Sequence, residues 1–228
     1  MENRADAVIF DFDGVIADTR ADVWASVEYA ADIVGGKMEP GFMEDTSHVA
    51  MPEQELFRHI RPVPDADKFD CFCDSIRIHY RTMNPFAVTR LYPGIRELFC
   101  YLRERGIPWV VVSSKPDQAL RRLIAVKGWG DYMPVHYSLD SIPNADTKAA
   151  VYGFLMKNDW KKMHPVCIGD TWSDIAAARE CGFVNIAALY GDGDRTKLLG
   201  EQPDYTAEDG WELLCRVEQL VRSGENNG

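Results

Sequence analysis

The residues best suited to chemistry stand near the start of the chain, where the apolar run AVIF at 7–10 gives way to Asp11-Phe12-Asp13-Gly14. Alternation along an extended backbone sends Asp11 and Asp13 to the same side, so two carboxylates share one site. Such neighbours repel unless a cation lies between them, and one is driven toward protonation; this suits a division of labour into nucleophile and general acid. Gly14 permits a sharp turn and brings backbone N–H groups near a bound anion. Calcium loops also use spaced aspartates, but the preceding apolar strand argues against that alternative.

Three further places offer complementary groups. Ser113-Ser114-Lys115-Pro116 follows the apolar run VVV and leads into a helix, so a hydroxyl and helix N-terminal N–H groups can cradle a phosphate there; taken alone, the same pattern is an ordinary helix cap. Gly169-Asp170-Thr171-Trp172-Ser173-Asp174 follows VCI, with Asp170 at the strand end and Asp174 in the first helical turn. One acid satisfies a cap; two suit Mg²⁺, which binds through a few carboxylates and keeps several waters. Lys148 opens the helix TKAAVYGFL, where the helix dipole disfavours a cation, so its position invites a functional explanation: neutralising a transferring phosphoryl group. Lys115 is the rival lysine, but it lies in a loop where solvation is the simpler expectation.

The elements that must hold these residues are short Val- and Ile-rich runs at 7–10, 108–112, 165–168 and 184–189, which read as buried parallel strands. Helical patterns alternate with them. In GIRELFCYLRERG, for example, Ile95, Leu98, Phe99 and Leu102 recur on one face, and Gly106 supplies the stop. Strands alternating with helices imply an α/β fold: an open parallel sheet, helices on both faces, and a ligand crevice at the strands' carboxyl ends. The stretch 17–89 breaks this rhythm with helical patterns at 19–34, 52–60 and 65–83 and no convincing buried strand. It reads as a helical lid inserted into a core formed by 1–16 and 90–228. The polar tail SGENNG is expected to fray.

With 228 residues and 46% hydrophobic composition, the chain can bury a full core. Its net charge of −11 repels nucleic-acid backbones and anionic membranes, so a phosphate must be held by local groups with a divalent cation beside the carboxylates. The six cysteines lack paired CxxC spacing and read as buried free thiols. No secretory or membrane-spanning segment is evident, which implies a reducing, cytoplasmic setting.

In order, DFDGVIADT, VVVSSK, Lys148 and GDTWSD resemble the four motifs of the haloacid dehalogenase superfamily of phosphatases. LYPGIRELFCYLRERGIPWVVVSSKP is similar to its phosphoglycolate phosphatase and β-phosphoglucomutase branch. The resemblance implies a Rossmann-like, doubly wound core with a helical cap inserted after the first motif. It implies that Asp11 is phosphorylated by the substrate, and that Asp13 protonates the leaving alcohol and then activates water. Ser113 and the Ser114 backbone would bind the phosphoryl oxygens near Gly14, and Lys148 would orient Asp11 and the phosphate. Mg²⁺ would be held by Asp11, the Asp13 carbonyl and Asp170, with Asp174 positioning its waters or Lys148. The partner would be a small phosphorylated metabolite, and the protein a monomer or homodimer.

Other readings share parts of this set. A phosphosugar mutase of the same branch carries a cap histidine where Val23 stands here. A haloacid dehalogenase shares the nucleophilic aspartate but lacks the second acid. A phospho-aspartate signalling receiver is a much shorter chain without a lid, its aspartate on an internal strand, and a purely binding relative would have lost part of the acid set. Substrate choice is expected in the lid, with Ser47, His48, Arg58, His59 and Arg81 as candidates beside their ordinary surface roles. Trp24 and Trp172 read first as packing aromatics and second as cleft walls.

Overall fold

The computed structural model describes residues 5–221, and the SGENNG tail expected to fray lies outside them. Six strands, β1 (Ala7–Phe10), β2 (Trp109–Ser113), β3 (His136–Ser138), β4 (Pro165–Gly169), β5 (Val184–Ala188) and β6 (Tyr205–Ala207), form one sheet. All pair in parallel, in the order β6-β5-β4-β1-β2-β3. The apolar runs form the central strands because burial on both faces requires apolar residues throughout; in β1 all four are buried. β3 and β6 were not evident from the sequence, since three residues, HYS and YTA, are too short to show a periodic pattern.

This order places β1 beside β4 where the direction of winding reverses, and there a doubly wound sheet opens a crevice at its carboxyl edge. Register aligns Phe10 with Ile168 on one side and Val111 on the other. The residues that follow β1 therefore emerge between the carboxyl ends of β4 and β2.

The helices are α1 (Arg20–Ile33), α2 (Glu53–Arg58), α3 (Phe69–Ile78), α4 (Ile95–Glu104), α5 (Asp117–Lys127), α6 (Lys148–Lys157), α7 (Trp172–Glu180), α8 (Arg195–Gly200) and α9 (Gly210–Leu220). α4 buries Ile95, Leu98, Phe99 and Leu102, the stripe its spacing predicts. It starts from Gly94 at φ 89°, where a Cβ would lie 2.6 Å from the Gly210 carbonyl carbon; the close approach to α9 requires glycine there.

The chain divides into two compact units, one comprising the chain up to Asp18 and from Leu91 onward, the other Thr19–Arg90. The second unit has its own core, with Trp24, Val27, Phe42, Leu56, Ile60 and Phe72 among its buried residues. Trp24 packs edge-on against Phe42 at 6.1 Å, which makes it a core aromatic of this unit. The helix expected over 65–83 is three pieces: a 3₁₀ turn at Ala66–Lys68, α3, and a π turn at His79–Met83 closed by Asn84 N–H donating to His79 O at 2.7 Å. Lys37–Met38 and Ile60–Arg61 also pair as short antiparallel strands in a stretch where no strand was expected. Two-residue strands carry no readable alternation.

Buried Asp22, near the start of α1, ties the two ends of this unit together. Its Oδ2 accepts from Val88 N–H at 3.1 Å, Thr89 N–H at 2.7 Å and Thr89 Oγ1 at 2.6 Å. Asp22→Ala leaves these donors unsatisfied and is expected to cost about 3 kcal/mol, read as a lower denaturation midpoint at unchanged m-value.

The expectation of buried thiols holds only in part. All six cysteines are free, but Cys71, Cys100 and Cys215 are exposed, Cys181 is half-buried, and only Cys73 and Cys167 are buried. Each exposed cysteine lies in an amphipathic helix, where the apolar pattern tolerates a small residue on the solvent side. Among the described residues no helix is long and apolar enough to cross a membrane.

Candidate active site

The first unit brings three carboxylates together at the carboxyl edge of the sheet. Asp11 directly follows β1, Asp170 directly follows β4, and Asp174 sits in the first turn of α7; an oxygen of each lies within 4.8 Å of the others. Asp11 N–H bonds to Ile168 O at 2.9 Å, which locks it to the neighbouring strand. Its Oδ1 accepts from Phe12 N–H at 2.7 Å and from Lys148 Nζ at 2.7 Å. Lys148, the first residue of α6, also donates to Asp174 Oδ1. The capping residue of α6 is Thr147, whose side chain accepts from Ala150 N–H, so the lysine at the helix start is left to serve the two acids.

Each remaining acid has its own fixings. Asp174 Oδ2 accepts from Thr171 N–H at 3.0 Å and Thr171 Oγ1 at 2.6 Å, a reciprocal cap at the start of α7. Asp170 Oδ2 accepts from the N–H groups of Asp192 at 2.7 Å and Gly193 at 3.2 Å. This loop after β5 was not singled out in the sequence, although the GDGD run at 191–194 is the signal that could have found it. Gly14, at φ 75°, is required on the opposite side, because a Cβ there would run into the Asp170 carboxyl group.

Ser113 ends β2, buried, and its Oγ accepts from Lys115 N–H at 3.1 Å. Ser114 is exposed and, with Lys148 and Trp172, lines a cavity of about 300 Å³. Trp172 is 51% exposed, so it walls this cavity and is no core residue. Asp13 Oδ1 pairs with Lys115 Nζ at 2.9 Å. The expectation of a solvated Lys115 is thereby corrected, since its side chain is only 2% exposed. A loop lysine is drawn inward when a carboxylate waits at the end of its reach.

The lid candidates are engaged within the second unit. His48 Nδ1 lies 2.7 Å from Phe42 O, and the rings of His48 and His59 both stack on Phe42. His59 also pairs with Glu39, Arg58 pairs with Glu55, Ser47 bonds Asp45, and Arg81 lies in the π turn.

The electrostatics of the first unit's site are those of crowded, buried acids. Burial, reinforced by Asp174 and Asp13 and opposed by Lys148, raises the Asp11 carboxyl from 3.8 to about 7. Burial, then the charges of Asp11 and Asp174, push Asp170 well above the carboxylate range. Burial works against the Lys148 ammonium, but Asp11 and Asp174 outweigh it and hold the group above its ordinary value. With all three carboxyls ionised, the one ammonium would leave two negative charges to be balanced. Buried oxygen donors with that charge deficit fit one hard divalent cation.

The sequence pattern described as Haloacid dehalogenase-like hydrolase matches residues 8–188. The chain is 25% identical over 219 residues to the phosphoglycolate phosphatase of Synechococcus elongatus, covering 95% of this chain and 99% of that protein. It is 26% identical over 224 residues to the phosphoglycolate phosphatase of Agrobacterium fabrum, covering 95% and 94%. Its fold is similar to that of a haloacid dehalogenase-like hydrolase from Streptococcus pneumoniae, with a TM-score of 0.78 at 22% identity, covering 96% of this chain and 100% of that one. With the sequence pattern spanning most of the chain and the parallel sheet matching in fold, the protein belongs to the haloacid dehalogenase-like hydrolase family.

Proposed function

We propose that the protein is a Mg²⁺-dependent phosphatase of small phosphate monoesters, of the phosphoglycolate phosphatase type, working through an aspartyl-phosphate on Asp11. The observation that carries this reading is the buried cluster of Asp11, Asp170 and Asp174 with Lys148 bridging two of them. The names of the relatives support the substrate class.

Asp11 Oδ1 is held by Phe12 N–H and Lys148, which leaves Oδ2 as the oxygen available to attack phosphorus. As the new P–O bond forms, the bond to the leaving oxygen breaks and Asp13 supplies the proton that leaves with the alcohol. Asp13 then takes a proton from water, whose oxygen attacks the same phosphorus and releases inorganic phosphate and Asp11. Ser113 and the Ser114 N–H bind the phosphoryl oxygens, and Gly14 lets the backbone pass close to them. Lys148 balances charge that spreads over those oxygens during in-line transfer. Asp11, the Asp13 carbonyl and Asp170 would hold the metal, and Asp174 fixes Lys148. A bound Mg²⁺ supplies positive charge to the phosphoryl oxygens and lets the clustered carboxylates remain ionised together.

The test is a panel of phosphate monoesters, phosphoglycolate and sugar phosphates among them, assayed with Mg²⁺ and again with a chelator. Phosphate release from at least one small ester, lost on chelation and restored by Mg²⁺, is the expected result. Release that is indifferent to chelation, or none from any ester, refutes the proposal.

A further inference from the structure

We propose that Lys115 is a positioning residue that holds the Asp13 carboxylate in its working orientation; the inference rests on the acid-base role assigned to Asp13 above. Asp13 lies beyond the end of β1, in the turn that leads through Gly14, and its side chain is 33% exposed. A short carboxylate so placed samples several rotamers, yet proton transfer requires it to meet the leaving oxygen in one of them. Lys115 supplies the constraint. Its Nζ lies 2.9 Å from Asp13 Oδ1 and 5.7 Å from the centroid of the buried Phe12 ring, so one ammonium grips two consecutive residues of the first segment.

The lysine is itself held from behind. Its backbone N–H donates to Ser113 Oγ at 3.1 Å, and the next residue is Pro116, at the cap of α5 with φ −54°. Burying a lysine sacrifices rotamer freedom and hydration, so a 2% exposed ammonium in a loop is unexpected unless a specific partner repays it. Lys115 thus joins the segment after β1 to the segment after β2, and sets Ser113 and Asp13 at a fixed separation. Lys148 has a different task, since its contacts are Asp11 and Asp174. The two lysines divide the site between the nucleophile and the proton donor.

The experiment compares kcat/KM of wild type, Lys115→Met, Lys115→Arg, Asp13→Asn and the double variant Asp13→Asn/Lys115→Met with Mg²⁺, on the alkyl phosphate the wild type hydrolyses best and on 4-nitrophenyl phosphate. kcat/KM reports the steps up to departure of the alcohol. An alkoxide needs the proton from Asp13 and nitrophenolate does not. Lys115→Met is expected to lose about 10- to 100-fold on the alkyl ester and only a few-fold on the nitrophenyl ester. Lys115→Arg should recover most of the loss, and Lys115→Met should cost nothing more once Asp13 is Asn. An equal loss on both esters, or the same loss in the Asp13→Asn background, overturns the inference while leaving the phosphatase reading intact. A wild type that hydrolyses neither ester overturns that reading and this inference with it.

Discussion

Asp11→Asn is expected to reduce phosphate release on the order of 10⁴-fold or more, while the protein stays folded and no less stable than the wild type. The loss is this large because the amide removes the attacking oxygen anion, and removal of a nucleophile takes most of the catalytic advantage with it. The stability half follows from the same cluster. Burial and the acids beside it already drive the Asp11 carboxyl up to about 7. Asn is nearly isosteric, keeps an oxygen for Phe12 N–H, and removes one of three crowded ionisable carboxyl groups. Phosphate-release assays and thermal denaturation of one preparation check both halves. A variant that is inactive because it is unfolded, or one that retains full turnover, contradicts the account.

Lys148→Met is expected to act in the opposite direction on stability and in the same direction on activity. It removes the ammonium that bonds Asp11 and Asp174 and leaves their carboxylates buried without it. Breaking a buried ion pair on one side costs about 3–5 kcal/mol, and loss of charge support at the phosphoryl oxygens costs about 10²- to 10³-fold in kcat. The stability loss depends on pH with a definite sign. Without the lysine the Asp11 carboxyl, already raised to about 7, rises further, whereas in the unfolded chain it remains near 3.8. The folded state then binds more protons than the unfolded state across that interval, so folding weakens as pH rises through it. Because the wild type shares this loss between pH 4 and pH 7, the deficit of the variant is steady there and grows as pH rises above 7, as read by denaturant titration on both sides of that value. A deficit that shrinks toward alkaline pH contradicts the arrangement of charges.

How far the site could be read in advance depended on whether each residue left a local trace. Asp11 and Asp170 did, because an apolar run long enough to be a buried strand stops at each of them. Lys148 did so by standing where a helix start disfavours a cation. Asp13 left a weaker trace, because the strand ends at Phe10 and alternation no longer fixes side-chain direction beyond it; its charge nonetheless reaches the Asp11 carboxyl. Lys115 left no trace, since a loop lysine looks the same whether it meets water or an acid brought near by the fold. The backbone donors of Asp192 and Gly193 to Asp170 were equally silent: their function lies in main-chain N–H groups that every residue but proline has. In the inserted unit, apolar spacing revealed helices, but the break of 65–83 into 3₁₀, α and π turns was set by tertiary packing around Phe72 and by the tie from Asn84 to His79. The Asp22–Thr89 bonds span nearly the whole unit, a separation no periodicity can register.

The account turns on Asp11 becoming covalently phosphorylated beside the other clustered acids, and an acid quench during turnover reads that event directly. Wild-type protein mixed with Mg²⁺ and its best phosphate ester, quenched within the first turnover and digested, should carry one phosphoryl group on the peptide containing Asp11, with none on that peptide from Asp11→Asn. Rapid phosphate release with the phosphoryl group found on another residue, or on no residue at any time during turnover, would contradict it.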